Sequence, residues 1–149
     1  MSLIQLLYVS AARADLQERD FADILTSARN NNPRLGVTGM LLFVNGTFLQ
    51  VIEGPHMHMD NFFRRISADP RHSAVQCLVR EEISARHFPD RSLGFRQIEV
   101  SDAQGARVFA LTQSALRNRL GASDVEALSS LVDSFRGVND ANFANKASA

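Results

Sequence analysis

The stretch from Gly36 to Gly54, GVTGMLLFVNGTFLQVIEG, constrains this chain more than any other. Two runs of apolar and β-branched residues, Val37 to Val44 and Thr47 to Ile52, are joined by Asn45-Gly46 alone. Asn and Gly both accept positive φ, which a two-residue type I′ turn needs at both positions, and that turn's twist matches the strands it joins. So short a loop leaves no slack. The pattern predicts a β-hairpin in which Val44 faces Thr47, Phe43 faces Phe48 and Leu41 faces Gln50. Alternation then puts Gln50 on the same face as Phe48 and Ile52. A buried amide without a partner costs about 1–3 kcal/mol, so something polar should lie over that face.

Around the hairpin the chain reads in order. Leu3 to Ser10 is a short apolar run, a strand buried on both faces, with Tyr8 on the face of Ile4 and Leu6. Asp15 and Glu18 have capping-box spacing, and Phe21, Ile24, Leu25 and Ala28 follow with helical periodicity. This helix is expected to end near Asn30-Asn31-Asn32, before Pro33. If its last turn stays helical, Asn32 continues the core-facing stripe four residues beyond Ala28. Met59, Phe62, Phe63 and Ile66 mark a second helix from about Met57 to Ala68, stopped by Pro70. Val75 to Val79 reads as a strand, Phe88-Pro89 as a loop, and Leu93, Phe95, Ile98 and Val100 as a last strand. Two C-terminal helices follow. The first runs from Val108 to Leu120; the second starts from a Ser123/Glu126 capping box and ends at Gly137. The order is βαββαββ plus two helices, and the tail 138–149 has too few apolar residues to pack firmly.

Composition removes several classes of function. At 149 residues and 45% hydrophobic, the chain supports one domain with a sizeable core. Sixteen basic and sixteen acidic residues balance, so no overall charge favours nucleic acid or an anionic membrane. The single cysteine, Cys77, forms no internal disulfide and builds no Cys-based zinc site; it reads as a core residue of a cytoplasmic protein. The N-terminus lacks a basic region and an apolar run long enough for a signal peptide or membrane span. His56-x-His58 has no supporting third ligand, so no metal is expected. Glu81-Glu82 alternates across a strand and does not aim two carboxylates at one substrate. An anion-binding hydrolase of similar topology would want a Gly-rich cradle where this chain has Ser10-Ala11-Ala12-Arg13. No nucleotide-loop or nucleophile-elbow motif occurs, and no catalytic residues are assigned.

Tyr8, Asn32 and Gln50 each have an ordinary explanation: a core aromatic, a helix cap, a partner for a backbone group. Together they place polar groups from the first strand, the first helix end and the hairpin in one layer. That pattern suggests a slot for a flat ligand with polar edges between helices and sheet.

These residues also fall in a recognisable set. Leu7-Tyr8-x-Ser10, Asn31-Asn32, Gly36-Val37-Thr38-Gly39-Met40-Leu41, Phe48-Leu49-Gln50-x-Ile52-Glu53-Gly54 and Asp69-x-Arg71-His72 resemble the BLUF family, sensors of blue light using FAD, with no insertion between Tyr8 and His72. The resemblance implies an α+β, ferredoxin-like mixed sheet with the flavin ring between two helices, those carrying Ile24 and Ile66. It implies that Tyr8 is the light-driven electron and proton donor and Gln50 the amide between that phenol and the flavin. Asn32 would anchor the ring's polar edge, Ile24 and Ile66 would sandwich it, and Asn31, Arg65, Asp69, Arg71 and His72 would be further contacts. The implied cofactor is non-covalent FAD, with FMN or riboflavin as substitutes.

The sequence departs from the family at Arg91 and Leu93, where Trp and Met are frequent. Leu93 is close to Met in volume but offers no sulfur acceptor. The reading is therefore a photosensor over residues 1–100, a helical extension over 101–137 packed on the sheet, and the tail. About fifty residues follow Val100, too few for an ordinary cyclase or phosphodiesterase domain. The expected output is homo-oligomerisation or binding of a separate effector protein, without enzymatic turnover. The alternative is a light-insensitive flavin-binding or protein-interaction module.

Overall fold

The structure, a computed structural model, describes residues 2–88, 93–98, 100–116 and 121–134. The elements are β1 (Leu3–Ala12), α1 (Glu18–Leu35), β2 (Thr38–Val44), β3 (Thr47–Pro55), α2 (His56–Ala68), β4 (His72–Ile83), β5 (Gly94–Ile98), α3 (Ala103–Leu116) and α4 (Ala122–Ser134). The sheet order is β4-β1-β3-β2-β5. β3 runs antiparallel to both β1 and β2, β4 antiparallel to β1, and β5 parallel to β2. This is the expected ferredoxin-like mixed sheet, extended by β5.

The hairpin has the register its turn dictates. Val44 pairs with Thr47, Phe43 with Phe48 and Leu41 with Gln50, and Asn45 and Gly46 take φ of 43° and 83°. Because side chains alternate, each sheet face gathers its own core. Leu7, Val9, Leu42, Leu49 and Val51 pack on one side with Val108, Ala115 and Leu128 of α3 and α4. On the other, Leu41, Phe48 and Phe95 meet Phe21 and Leu25 of α1, and Leu6, Tyr8 and Ile52 meet Met59 of α2. Burying a Leu, Phe or Met side chain stabilises by roughly 1.5–3 kcal/mol, which holds the helices to both faces.

Several local expectations need correction. α1 starts at Glu18, with Gln17 and Asp20 forming the capping box, and Asp15 pairs with Arg13 instead of capping. It continues through Pro33 to Leu35 and ends at Gly36 with φ 67°, where the N–H groups of Gly36 and Val37 bond to the carbonyls of Pro33 and Asn32. Pro33 lies in the last turn of α1, so its missing N–H and any bend its ring imposes affect only the helix end. α4 is likewise capped two residues early, with the Gly121 N–H donating to Asp124 at 3.1 Å. β4 is longer than Val75 to Val79, and α3 starts at Ala103. Val100 lies outside β5 and is 42% exposed. Cys77 is exposed on the edge strand β4 and is not a core residue. Pro89, Arg91, the predicted helix ends at Leu120 and Gly137 and the tail 138–149 lie outside the described residues.

A polar latch closes the open end of the hairpin. The Glu53 carboxylate is fully buried and accepts from Gln5 Nε2 at 3.0 Å and from the backbone N–H groups of His87 and Phe88 at 2.8 Å. Arg86 donates to Thr38 Oγ1 at 2.8 Å and to the carbonyls of Glu53 and Gly36 at 3.1 and 2.6 Å. Residues 86–88, which follow β4, are thereby fixed to β2 and β3.

Candidate functional site: a cleft over Tyr8 and Gln50

The centre of the site is a cross-strand pair. Antiparallel registry sets Tyr8 of β1 directly opposite Gln50 of β3, and directly opposed residues share a face. Tyr8 is completely buried and Gln50 is 5% exposed. The Tyr8 hydroxyl donates to Gln50 Oε1, so the partner required by the misplaced amide is a phenol in the adjacent strand. With Oε1 committed, the amide offers its NH₂ to other groups. Phe63 of α2 braces the phenol edge-on, with ring centroids 5.7 Å apart. Burial, with smaller contributions from Asp69 and Cys77, pushes the Tyr8 hydroxyl well above the usual phenol range. The phenol therefore keeps its proton at any ordinary pH.

Above this pair lies a cleft of about 150 Å³ between α1, α2 and the sheet. Nine of the ten residues anticipated for a binding site line it: Ile24, Asn31, Asn32, Gln50, Arg65, Ile66, Asp69, Arg71 and His72. The tenth, Tyr8, is not in the lining; it reaches the site through Gln50. Ser27, Ala28, Phe62 and Leu93 also line the cleft. The helical members share faces: Ile24, Ser27, Ala28 and Asn31 of α1 are spaced i, i+3, i+4, i+7, and Phe62, Arg65 and Ile66 of α2 are spaced i, i+3, i+4, with Asp69 following as the C-cap.

The polar rim is ordered. Asn32 is 2% exposed and extends the buried stripe of Phe21, Leu25 and Ala28. Asp69 caps the C-terminal end of α2 and takes Arg71 in a bidentate pair, with Nη2 donating at 2.6 Å and Nε at 3.0 Å. Burial works to raise the Asp69 carboxyl, but the hydrogen bonds and charge of Arg71, aided by His72, outweigh it and hold the group below its ordinary value. Burial also lowers the His72 pKa below 6.5; Asp69 opposes the shift and Arg71 reinforces it. Two half-buried isoleucines from different helices, an amide floor and a rim of Asn, Arg and His side chains suit a flat heteroaromatic ring with polar edges and an anionic extension. Among the described residues no cluster of three His, Cys, Asp or Glu side chains could hold a metal ion, and no helix is long and apolar enough to cross a membrane.

Comparisons with known proteins agree with this chemistry. The model of the BLUF family, "sensors of blue-light using FAD", matches residues 3–94. Photoactivated adenylate cyclase subunit beta of Euglena longa is 38% identical over 88 residues, 59% of this chain and 10% of that protein. The blue light- and temperature-regulated antirepressor BluF of Escherichia coli K12 is 34% identical over 86 residues, 58% of this chain and 21% of that protein. The similarity thus spans only a small part of these curated relatives. Among solved structures, the dark state of the BLUF protein BlrB superposes with a TM-score of 0.69 at 35% identity, covering 89% of this chain and 96% of that one.

Proposed function

The chain belongs to the BLUF family of sensors of blue light using FAD, and from that premise we propose that it is a photoreceptor in which Tyr8 and Gln50 form the light-operated switch. The observation that carries this reading is the hydrogen bond from the buried Tyr8 hydroxyl to Gln50 Oε1 at the floor of the cleft. Non-covalent FAD is the cofactor the residues fit: Ile24 and Ile66 would hold its ring, Asn32 and Gln50 would meet the ring's polar groups, and Arg65 and Arg71 would supply positive charge for its phosphates. Bound flavin supplies blue-light absorption and an excited state that accepts an electron.

The protein's part is to give and take back one electron and one proton. Tyr8 is held neutral by burial, and Phe63 fixes its plane. When Tyr8 gives up an electron its phenol becomes strongly acidic, and the proton has a ready acceptor in Gln50 Oε1. Electron and proton then return to Tyr8, while the amide is left rotated or tautomerised. An amide carries donors on one side and an acceptor on the other, so its reversal exchanges which neighbours are satisfied. Two hydrogen-bonded states of similar energy are what a switch requires.

We read residues 1–100 as the sensor, 101–137 as a helical extension and 138–149 as a tail, without turnover of its own. Output runs through association, with a second copy or a separate effector protein. Two side-chain links tie α3 to the sheet and support this route: Gln76 Nε2 of β4 donates to the Leu116 carbonyl at 3.1 Å, and the Thr47 and Thr112 hydroxyls lie 3.3 Å apart. An absorption spectrum of the purified protein before and after blue light tests the proposal. A yellow protein with a reversible red shift is expected. A yellow but unresponsive protein would leave a light-insensitive flavin module, and a protein that takes up no flavin would refute the reading.

A further inference from the structure

Ser10 is completely buried and follows Tyr8 by two residues on the cleft side of β1. Its hydroxyl lies 2.8 Å from Nδ1 of His72. The His72 ring lies against Phe48, centroids 4.6 Å apart, and Phe48 is the cross-strand partner of Ser10 on β3. A hydroxyl and a phenyl ring thus hold the imidazole at the cleft wall.

His72 reaches this position only through an irregularity in β4. Cys77 pairs with Tyr8, and Val75 packs against the cluster that contains Tyr8. Plain alternation from these residues would turn Ser73 toward the cleft and His72 to the opposite face. The register instead shifts between Val9 and Ala11, with Ala74 at φ 53°, and His72 pairs with Ala12 on the face of Tyr8 and Ser10. Left-handed φ is unfavourable for Ala, and nothing in the local sequence announces it. Bulges of this kind re-aim the side chains beyond them.

The direction of the Ser10–His72 bond follows from elimination. Ser10 makes no other side-chain hydrogen bond among the described residues. Donation from Nδ1 would leave its buried hydroxyl hydrogen without an acceptor, so the hydroxyl donates and Nδ1 accepts. Burial favours the neutral ring, with Asp69 and Arg71 the charged groups acting on it in opposite senses. The single ring proton then sits on Nε2.

We propose that Ser10 and the Ala74 bulge position His72 as a neutral donor whose Nε2–H is offered to a hydrogen-bond acceptor of the flavin. The inference rests on the flavin reading above and adds to it a tautomer, an aiming device and a positioning residue that acts only through His72.

Long-range ¹H–¹⁵N spectra of the flavin-loaded protein, labelled at histidine and recorded near neutral pH, test it together with FAD titrations. His72 is expected to show a protonated Nε2 and an unprotonated, accepting Nδ1. Ser10→Ala shifts both signals toward a tautomer mixture and weakens FAD binding about 3- to 10-fold, the range for one oriented hydrogen bond. Ser10→Thr keeps the hydroxyl and restores both. A protonated Nδ1 in the unmutated protein, or unmoved His72 signals in Ser10→Ala, overturns the proposal. Equal loss of affinity in Ser10→Thr with the tautomer intact overturns it too, because packing and not the hydroxyl would then matter. A protein that takes up no flavin at all overturns the donor role along with the flavin reading, and is told apart by a His72 tautomer that is still as expected.

Discussion

Replacing Glu53 with Ala tests whether the latch holds residues 86–88 to the hairpin. The carboxylate satisfies two backbone N–H groups, those of His87 and Phe88, and the Gln5 amide. Gln5 is half-buried and can turn to water, but Phe88 is 3% exposed and its N–H cannot do so without opening the chain. An orphaned buried donor costs about 1–3 kcal/mol, and the His87 N–H is discounted for its partial access to solvent. The expected loss for Glu53→Ala is therefore about 2–4 kcal/mol. Glu53→Gln keeps the shape and one accepting oxygen, and its NH₂ can face a reoriented Gln5, so its cost should be nearer 1 kcal/mol. Urea unfolding gives both numbers, and an unchanged m-value would show that the loss is one of stability and not of compactness. Native-state hydrogen exchange at His87 and Phe88 should accelerate in Glu53→Ala before the sheet amides do. A Glu53→Ala variant as stable as Glu53→Gln, with both amides still protected, would refute the claim that this carboxylate fixes residues 87 and 88.

The remaining expectations concern the switch and its surroundings. Gln50→Leu keeps approximate volume and removes every hydrogen-bonding group, so flavin should stay bound while the light-induced shift disappears; a persisting photocycle, read by difference spectroscopy, would remove Gln50 from the mechanism. Tyr8→Phe keeps the packing against Phe63 and deletes the donor, so the signalling state should vanish and the flavin excited state should live longer; unchanged quenching would eliminate Tyr8. Because the folded-state pKa of His72 lies below its ordinary 6.5, the unfolded chain binds more protons as pH falls below that value. Stability is thus full above about pH 6.5 and declines toward the folded-state pKa. Urea midpoints at pH 7.5 and 5.5 should show a decline that shrinks in His72→Gln, and an equal decline in both would locate the effect elsewhere.

What the sequence revealed depended on how short the connections are. The hairpin register follows from a two-residue turn, and that turn puts an otherwise unexplained amide, Gln50, on a buried face, which marks the site in the sequence itself. Asn32 was legible for a similar reason, because four residues from Ala28 is a fixed geometric step on a helix. Capping was less legible. Pairs with capping spacing overlap at both helix starts, Asp15/Glu18 with Gln17/Asp20 and Gly121/Asp124 with Ser123/Glu126, and spacing alone does not choose between them. The exposure of Cys77 and the aim of His72 were illegible. Cys77 is exposed on an edge strand whose place in the sheet no local pattern gives, and the aim of His72 depends on the bulge at Ala74, which inverts the face of the residues beyond it. The Ser10–His72 and Glu53–Phe88 contacts span 62 and 35 residues, so only the assembled sheet brings them together.

The sheet also explains how a change at one amide could be felt on the far side of the protein. Gln50 faces the cleft, while its neighbours Leu49 and Val51 are buried in the opposite core with Val108, Ala115 and Leu128. β3 is central and paired on both sides, so it has no free edge along which to relax. Reorientation of Gln50 that altered its bond to Tyr8 would act on β1 and β3 together, and those strands carry the packing surface for α3 and α4. The core on that side is close-packed, so a displacement of even a fraction of an ångström changes contact energies instead of being absorbed by voids. The demand on this route is modest. A tenfold change in affinity for a partner needs about 1.4 kcal/mol of coupling. One hydrogen bond made or lost is worth about 0.5–1.5 kcal/mol. A single amide reversal is therefore of the right size to bias association, provided that little of its energy is lost in loops, and the latch at Glu53 and the links from Gln76 and Thr47 to α3 are the contacts that limit such loss.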